Sequence, residues 1–319
     1  MTEAEKNSER ALYGYIGILV SATFTGMNWP LLKDLMTQVS PLQANWLVII
    51  PALVIIIPMY VWYRRNEDLL PPHTPYKWLL TFGIFASAIF YCRNVGTHLT
   101  SATTAALVVR MELAFVFILS YIILKTRVTA LGWAGSLLLL LGALLASGFS
   151  LGDLAFDWLG VGALFVAAAL TALNSMIIKI FFGRIPAELP AIASCVCQTV
   201  VFSCVLGFSG RIPETVAAVQ NPRVAVESLI GGVFMVVLLV LYYFAMKRIP
   251  VWLCRILALL STVVAMLGDH FWLGSDITIG QLAGFAGVIG GAVLVIFASR
   301  GSRPDQIPKH LDPKETATS

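Results

Sequence analysis

Long apolar segments, separated by short charged or Pro/Gly-rich breaks, run along most of the chain. A membrane helix needs about 20 apolar residues to cross a bilayer core of about 30 Å, and segments of that length recur ten times. Because a backbone surrounded by lipid must satisfy its hydrogen bonds internally, each segment is predicted to be a transmembrane helix. The predicted spans are residues 12–32, 42–62, 77–97, 102–124, 130–149, 157–181, 189–209, 228–247, 251–273 and 277–298.

Composition supports the same fold class. Of 319 residues, 58% are hydrophobic and 12% are charged, whereas an ordinary soluble domain has roughly 25% charged residues. A single water-soluble core could not bury that much apolar surface. The N-terminal residues lack the order of a cleaved signal peptide, so the first apolar segment is expected to stay in the protein. We therefore predict an all-α integral membrane protein of ten transmembrane helices.

Basic residues are distributed unevenly over the predicted loops. If the N-terminus is cytoplasmic, fifteen Lys and Arg residues fall in cytoplasmic tails and loops, and three fall on the other side. This excess follows the positive-inside rule and predicts that both termini are cytoplasmic. The expected location is the inner (plasma) membrane of a bacterium. Residues 1–11 are predicted to form an N-terminal tail, and residues 299–319, rich in Pro and poor in apolar residues, a disordered C-terminal one.

The two halves of the chain resemble each other. A shift of 146 residues aligns residues 14–33 with residues 160–179 at six identical positions. Five helices per copy is an odd number, so the copies are predicted to enter the membrane in opposite senses. Inverted repeats are typical of secondary transporters, whose solute site lies near mid-membrane where the copies meet. The predicted repeats are residues 12–149 and 157–298, and the aligned pairs include Thr25 with Thr171 and Asn28 with Asn174.

Charged residues inside the spans are the first functional candidates, because an ionised group at the bilayer centre costs at least ~2.5–3.5 kcal/mol. Glu112 lies about ten residues inside the fourth span, at a depth of ~15 Å with 1.5 Å per residue. It suits a counter-ion, a cation ligand or a proton carrier, and the alternative is a structural ion pair. Arg110 stands about 200° around the same helix, so only one of the two can face a cavity. Arg93, in the third span, is a candidate partner for Glu112.

Uncharged polar side chains mark two further spans. Ser21, Thr25 and Asn28 form a stripe in the first span, and the repeat places Thr171 and Asn174 at matching positions of the sixth. Hydroxyl and amide groups can hydrogen-bond a zwitterionic or polyhydroxylated solute without the cost of a buried charge. The alternative is that these groups hold helices together.

Four other residues are interpreted from their depth and type. His98 lies near the outer mouth and is expected to be a hydrated lining residue, and Tyr242 is a candidate for the aromatic wall of a cavity. Arg255 and Asp269 lie towards opposite ends of the ninth span. We interpret each of them as reaching its own membrane interface.

A stripe of small residues runs along one side of the tenth span and includes Gly280, Gly284, Gly287 and Gly291. Such stripes allow the backbones of two helices to approach closely. The stripe is expected to pack either against the fifth span of the same chain or against a second protomer. The second alternative predicts a homodimer.

Two parts of the chain resemble a known family. Residues 99–117, followed by residues 128–129 and 132–135, are similar to the fourth and fifth helices of the EamA-like family in the drug/metabolite transporter superfamily. Residues 271–284 are similar to the corresponding part of that family's second repeat. The resemblance extends over about residues 12–298. It implies ten helices around a central cavity, and export or import of amino acids, drugs or metabolites.

The leading prediction is a secondary transporter that exports an amino acid or related metabolite by alternating access, with proton coupling through Glu112 as an open option. The sequence has no Gly-x-x-x-x-Gly-Lys-Ser/Thr loop, so direct use of ATP is not expected. No cofactor, metal or nucleic-acid partner is predicted. Three arginines inside the spans leave an anion or phosphorylated-sugar exchanger as an alternative. An intramembrane enzyme acting on lipid-linked substrates is the alternative from another class, although motifs such as His-Glu-x-x-His are missing.

Overall fold

The computed structural model describes residues 3–65, 69–71, 74–100, 102–126, 128–148, 157–274 and 276–299. Every regular element within those ranges is a helix. In chain order the helices are α1 (Glu3–Leu35), α2 (Pro41–Tyr63), α3 (Tyr76–Leu99), α4 (Ala102–Ile122), α5 (Ala130–Ala146), α6 (Trp158–Phe181), α7 (Glu188–Phe208), α8 (Ile212–Ala218), α9 (Pro222–Arg248), α10 (Val251–Leu257), α11 (Leu260–Leu273) and α12 (Ile279–Ser299). The predicted C-terminal tail after Ser299 lies outside the described residues.

Seven segments of the described chain are long and apolar enough to cross a membrane, when α10 and α11 are counted together as Val251–Trp272. The other six are α2, α3, α6, α7, α9 and α12. Helix α5 is apolar but has only 17 residues. Helix α1 contains the first predicted span and begins well before it, at Glu3, whereas α4 ends at Ile122, two residues before the end of the fourth predicted span.

Large apolar side chains cover the outside of the helix bundle. Val54, Leu137 and Val200 each expose more than half of their surface, although each lies near the middle of its helix. Water would not solvate so continuous an apolar surface, whereas lipid chains do. The apolar helices and this surface identify an integral membrane protein.

The main contacts between a helix of the first half and a helix of the second half have counterparts between the corresponding helices. If α1 to α5 correspond to α6, α7, α9, α10/α11 and α12, then α1 packs on α9 and α11 as α6 packs on α3 and α4. Helix α2 likewise packs on α9 as α7 packs on α3. Corresponding helices also meet directly, α2 with α7 and α5 with α12. Two similar helix arrangements, one in each half, account for this pattern.

Glycines bring the backbones of α5 and α12 into direct contact. A Cβ atom added to Gly291 would lie 2.5 Å from the backbone nitrogen of Leu139, and one added to Gly284 would overlap the backbone of Ala146. Close backbone approach of this kind strengthens van der Waals packing between membrane helices. The small-residue stripe of the tenth span is therefore occupied by the fifth span of the same chain.

The ninth span is one apolar segment, Val251–Trp272, as the sequence predicts, but its hydrogen-bond spacing changes at a turn between α10 and α11. Helix α10 ends at Leu257 and α11 begins at Leu260. Between them, Leu259 N–H donates to the carbonyl of Ile256 at 3.0 Å, and Thr262 N–H donates to the carbonyl of Leu259 at 2.9 Å. Hydrogen bonds with three-residue spacing tighten the turn. No Pro or Gly stands between Arg255 and Thr262 to signal this change in the sequence.

The variant Gly291→Ala should lower the thermal unfolding midpoint of the detergent-purified protein. Its methyl group would overlap the Leu139 backbone, and such overpacking typically costs about 1–3 kcal/mol. The matched control is Gly290→Ala, whose Cβ would meet only Leu138 Cδ2, at 3.8 Å. The control should be neutral or slightly stabilising because Ala favours a helix by up to about 1 kcal/mol over Gly. Equal midpoints for the two variants would contradict the close packing of α5 on α12.

Candidate functional site

Glu112 lies in the interior of the bundle, about halfway along α4. Only 7% of its surface is exposed. Its Oε2 accepts a hydrogen bond from Arg93 Nη2 of α3 at 2.8 Å, so the two residues form a salt bridge. Helix α3 ends and α4 begins within a few residues of Thr100, and this short connection lets side chains on the two helices meet.

Arg255 of α10 reaches the same carboxylate from the other half of the chain. Its Nη1 lies 3.9 Å from Glu112 Oε1. Its Nε and Nη2 donate to Ser175 Oγ of α6 at 3.0 and 2.8 Å, and Nη2 also reaches the carbonyl of Thr171 at 3.3 Å. The interpretation that Arg255 extends to the inner membrane interface was wrong, because acceptors on α4 and α6 hold the guanidinium inside the bundle.

The Tyr242 ring of α9 lies beside Arg255. The guanidinium carbon of Arg255 lies 5.1 Å from the centre of the Tyr242 ring, within the range of a cation–π interaction. The Tyr242 hydroxyl is buried and has no hydrogen-bond partner in the described chain. Tyr242 is therefore next to a charge and carries an unused polar atom.

Arg110 points to a different neighbour from Glu112, as their positions on the helix predict. Its Nη2 donates to Thr262 Oγ1 of α11 at 2.8 Å. Thr262 follows the turn between α10 and α11, whereas Arg255 precedes it. Helix α4 therefore contacts α10 through Glu112 and α11 through Arg110.

The matching polar residues of the first and sixth spans have similar local bonding. The hydroxyls of Thr25 and Thr171 donate to the carbonyls of Ser21 and Ala167, four residues earlier on their own helices, at 2.7 Å each. These two hydroxyls already have acceptors. The side-chain oxygens of Asn28 and Asn174, by contrast, are buried without a hydrogen-bond partner in the described chain.

The amide nitrogen of Asn174 donates to the carbonyl of Phe82 on α3 at 3.3 Å. Thr171 joins the cluster around Arg255 through its backbone carbonyl, and Asn174 is the neighbour of Ser175 in α6. No hydrogen bond among the described residues connects Asn28 to that cluster. The polar stripe of α1 therefore has no hydrogen bond to the arginine site in the part of the chain that the structure describes.

His98 lies in the exposed last turn of α3, and no hydrogen bond or ion pair of the described chain joins it to Glu112. Asp269 pairs with Lys33 across α11 and α1, at 3.3 Å. Within the described residues, no group of three or more His, Cys, Asp and Glu side chains is placed to hold a metal ion. The site is therefore built from arginines, one carboxylate, hydroxyls and an aromatic ring.

Sequence reasoning missed Ser175, noted Thr262 only as part of a stripe on the ninth span, and misread Arg255. Ser175 and Thr262 are ordinary residues for a membrane helix, and they became part of the site only because an arginine on another helix reaches them. Arg255 and Thr262 are seven residues apart, which puts them on one face of a helix. That spacing was a usable signal.

The sequence model of the EamA-like transporter family matches residues 12–148 and 158–297. The chain belongs to the EamA-like transporter family. This confirms the family that the sequence resemblance indicated. Two matched segments mean two EamA repeats, so this EamA-like chain is a membrane protein that transports small solutes.

A solved structure described only as a crystal structure of a protein has a TM-score of 0.74 to this EamA-like chain, at 19% sequence identity. The match covers 92% of this chain and 97% of that chain. At this identity the likeness shows a shared fold. A comparison with curated proteins finds no match.

Removing one member of the Arg93–Glu112 pair should destabilise the protein more than removing both. Arg93→Gln or Glu112→Gln alone leaves one charge of this pair inside the bundle without the other, whereas the double variant leaves neither charge of the pair. We expect a coupling free energy of about 0.5–3 kcal/mol from the double-mutant cycle, measured by denaturation of the protein in detergent. Strict additivity of the two single effects would show that the salt bridge contributes nothing to stability.

Proposed function

We propose that this EamA-like protein is a secondary transporter that exports a small metabolite, an amino acid or a related compound, by alternating access between two inverted five-helix repeats. The observation that carries the proposal is the polar cluster inside the bundle, where Glu112 and Arg110 of the first repeat meet Arg255 and Thr262 of the second. Secondary transporters typically bind solutes near mid-membrane, where two repeats meet.

The contacts within the site fall into two classes that support alternating access. Arg93 and Glu112 belong to the first repeat, and Arg255 is held to Ser175 within the second. The contacts from Glu112 to Arg255 at 3.9 Å and from Arg110 to Thr262 at 2.8 Å cross between the repeats. A rocking motion of one repeat against the other would keep the first class and break the second.

Ion pairs between the repeats also close the proposed outer end. Lys33 of α1 lies 3.3 Å from Asp269 of α11, and Arg223 of α9 lies 2.6 Å from Asp34 of α1. Both pairs join a helix of the first repeat to a helix of the second. Opening of the outer side would separate them, and their largely exposed basic partners could then be rehydrated at little cost.

The proposed topology has ten spans and both chain ends in the cytoplasm. A reporter that is active only in the cytoplasm should be active when it is fused to either end. The same reporter should be inactive when it is inserted at Gly210, in the turn between α7 and α8, which this topology places outside. Ends on opposite faces of the membrane would refute the inverted arrangement.

Arg255→Gln should reduce solute flux in reconstituted vesicles by at least about tenfold, because it removes a buried charge that contacts both repeats. The matched control is Arg184→Gln, at an exposed position of the connection between α6 and α7. This control should transport normally. Flux is measured with and without a proton gradient, and the amount of folded protein is checked by gel filtration. Equal flux in both variants would place the site elsewhere.

A further inference from the structure

We propose that the transported solute is an organic anion whose carboxylate or phosphate group binds to Arg255 in the place now occupied by Glu112, and that Arg110 offers a second contact further along the path. This inference rests on the proposed transport function and names the chemical class of the solute. It is carried by the charges of the site, by its unused hydrogen-bond donors and by the position of Glu112.

The site has more positive than negative charge. Arg93 and Arg255 share a single carboxylate, that of Glu112, which lies 2.8 Å from Arg93 and 3.9 Å from Arg255, while Arg110 bonds Thr262. No ion pair of the described chain supplies these arginines with a second carboxylate. An unbalanced charge inside a membrane protein is costly. A bound anion would reduce that cost, so the charge balance favours an anionic ligand.

The unused hydrogen-bonding atoms of the site are mainly donors. Arg93 Nε and the Tyr242 hydroxyl are buried and have no hydrogen-bond partner in the described chain. At 3.9 Å, Arg255 Nη1 is also too far from Glu112 for a hydrogen bond. Carboxylate and phosphate groups offer several acceptor oxygens that fit the forked donors of arginine. These donors therefore suit the same class of ligand as the charges do.

A neutral amino acid or an amine has no comparable partner here. Its ammonium group would need a carboxylate, and the site offers only Glu112, which Arg93 already binds at 2.8 Å. An ammonium group would also face the positive charges of Arg110 and Arg255. The site thus discriminates between solutes by net charge.

Two arginine levels are available along the path. Thr262 accepts a hydrogen bond from Arg110 and lies seven residues after Arg255. That separation is a rise of about 10 Å in a regular helix. The turn between α10 and α11 lies between the two residues. An anion could therefore contact the Arg255 guanidinium at one level and the Arg110 guanidinium at the other, while Glu112 moves aside with Arg93.

Two measurements on the full-length protein test the proposal. Binding of labelled probes is measured in detergent, and their flux is measured in proteoliposomes. The probes are glutamate, succinate and glycerol 3-phosphate as anions, leucine as a neutral amino acid matched to glutamate, and putrescine as a cation. We expect at least one anion to bind and move, and leucine and putrescine to do neither. Succinate and glycerol 3-phosphate separate a carboxylate requirement from a phosphate requirement.

The decisive variant is Glu112→Gln. It removes the internal competitor but keeps an acceptor for Arg93, so the affinity for the anion should rise. One unit charge at about 4 Å contributes about 1 kcal/mol even in water, which corresponds to roughly a fivefold tighter Kd. If Glu112 instead binds the ammonium group of the solute, the same variant should abolish binding.

Arg255→Gln should weaken binding of the anion at least about tenfold, and Arg255→Lys should recover part of it because the charge remains while the fork is lost. Arg184→Gln, at an exposed position, should bind normally. Equal affinity of the Arg255→Gln and Arg184→Gln variants for the anion would overturn the assignment of Arg255.

The outcomes separate failure of this inference from failure of the transport proposal. Flux of leucine or putrescine that anions do not inhibit would overturn the anionic solute and leave a transporter. Binding of an anion without flux of any probe would keep the anion site and overturn the transport proposal. A protein that neither binds nor moves any of the three anions overturns the inference.

Discussion

The structure depends on one constraint, that a carboxylate buried in a membrane protein must have positive partners. Glu112 obtains them from both halves of the chain, from Arg93 at 2.8 Å and from Arg255 at 3.9 Å. Arg255 is in turn fixed by Ser175. Because the attraction between charges is stronger in a medium of low polarity than in water, these contacts hold the inward faces of α3, α4, α6 and α10 against one another.

Contacts of two physical kinds join the two halves. Helices α5 and α12 meet through glycines, where the backbone of Gly291 lies so close to Leu139 that even a methyl group would overlap it. Dense apolar packing of this sort is rigid, because any shift of the helices opens a void or a clash. The polar contacts from α4 to α10 and α11 are different, because a solute or water can replace their hydrogen bonds. The molecule therefore combines a fixed seam at one edge with exchangeable contacts at the proposed site.

The site was only partly predictable from the sequence. Glu112, Arg93 and Arg110 stood out because a charge in an apolar segment is rare and costly. Arg255 carries the same signal, yet depth alone suggested a side chain that reaches the membrane interface, and only the positions of Ser175 and Glu112 on other helices show why it stays inside. The tightened turn between Leu257 and Leu260 has no Pro or Gly that would predict it. Thr25 and Thr171 were recognised as a matching pair, but their bonds to their own helices could not be read from spacing, because a hydroxyl can bond a neighbouring helix equally well.

The sequence by itself determined that the chain is a helical membrane protein with a duplicated pattern, because the length and composition of an apolar segment decide whether lipid can solvate it. It also determined that Arg110 and Glu112 have different neighbours, since two residues apart on a helix means opposite sides. Only the tertiary structure decided which neighbours those are. Helix faces that are equally apolar carry no information about their partners, so the meeting of Arg255 with Glu112 and of Arg110 with Thr262 depends on how the two halves pack.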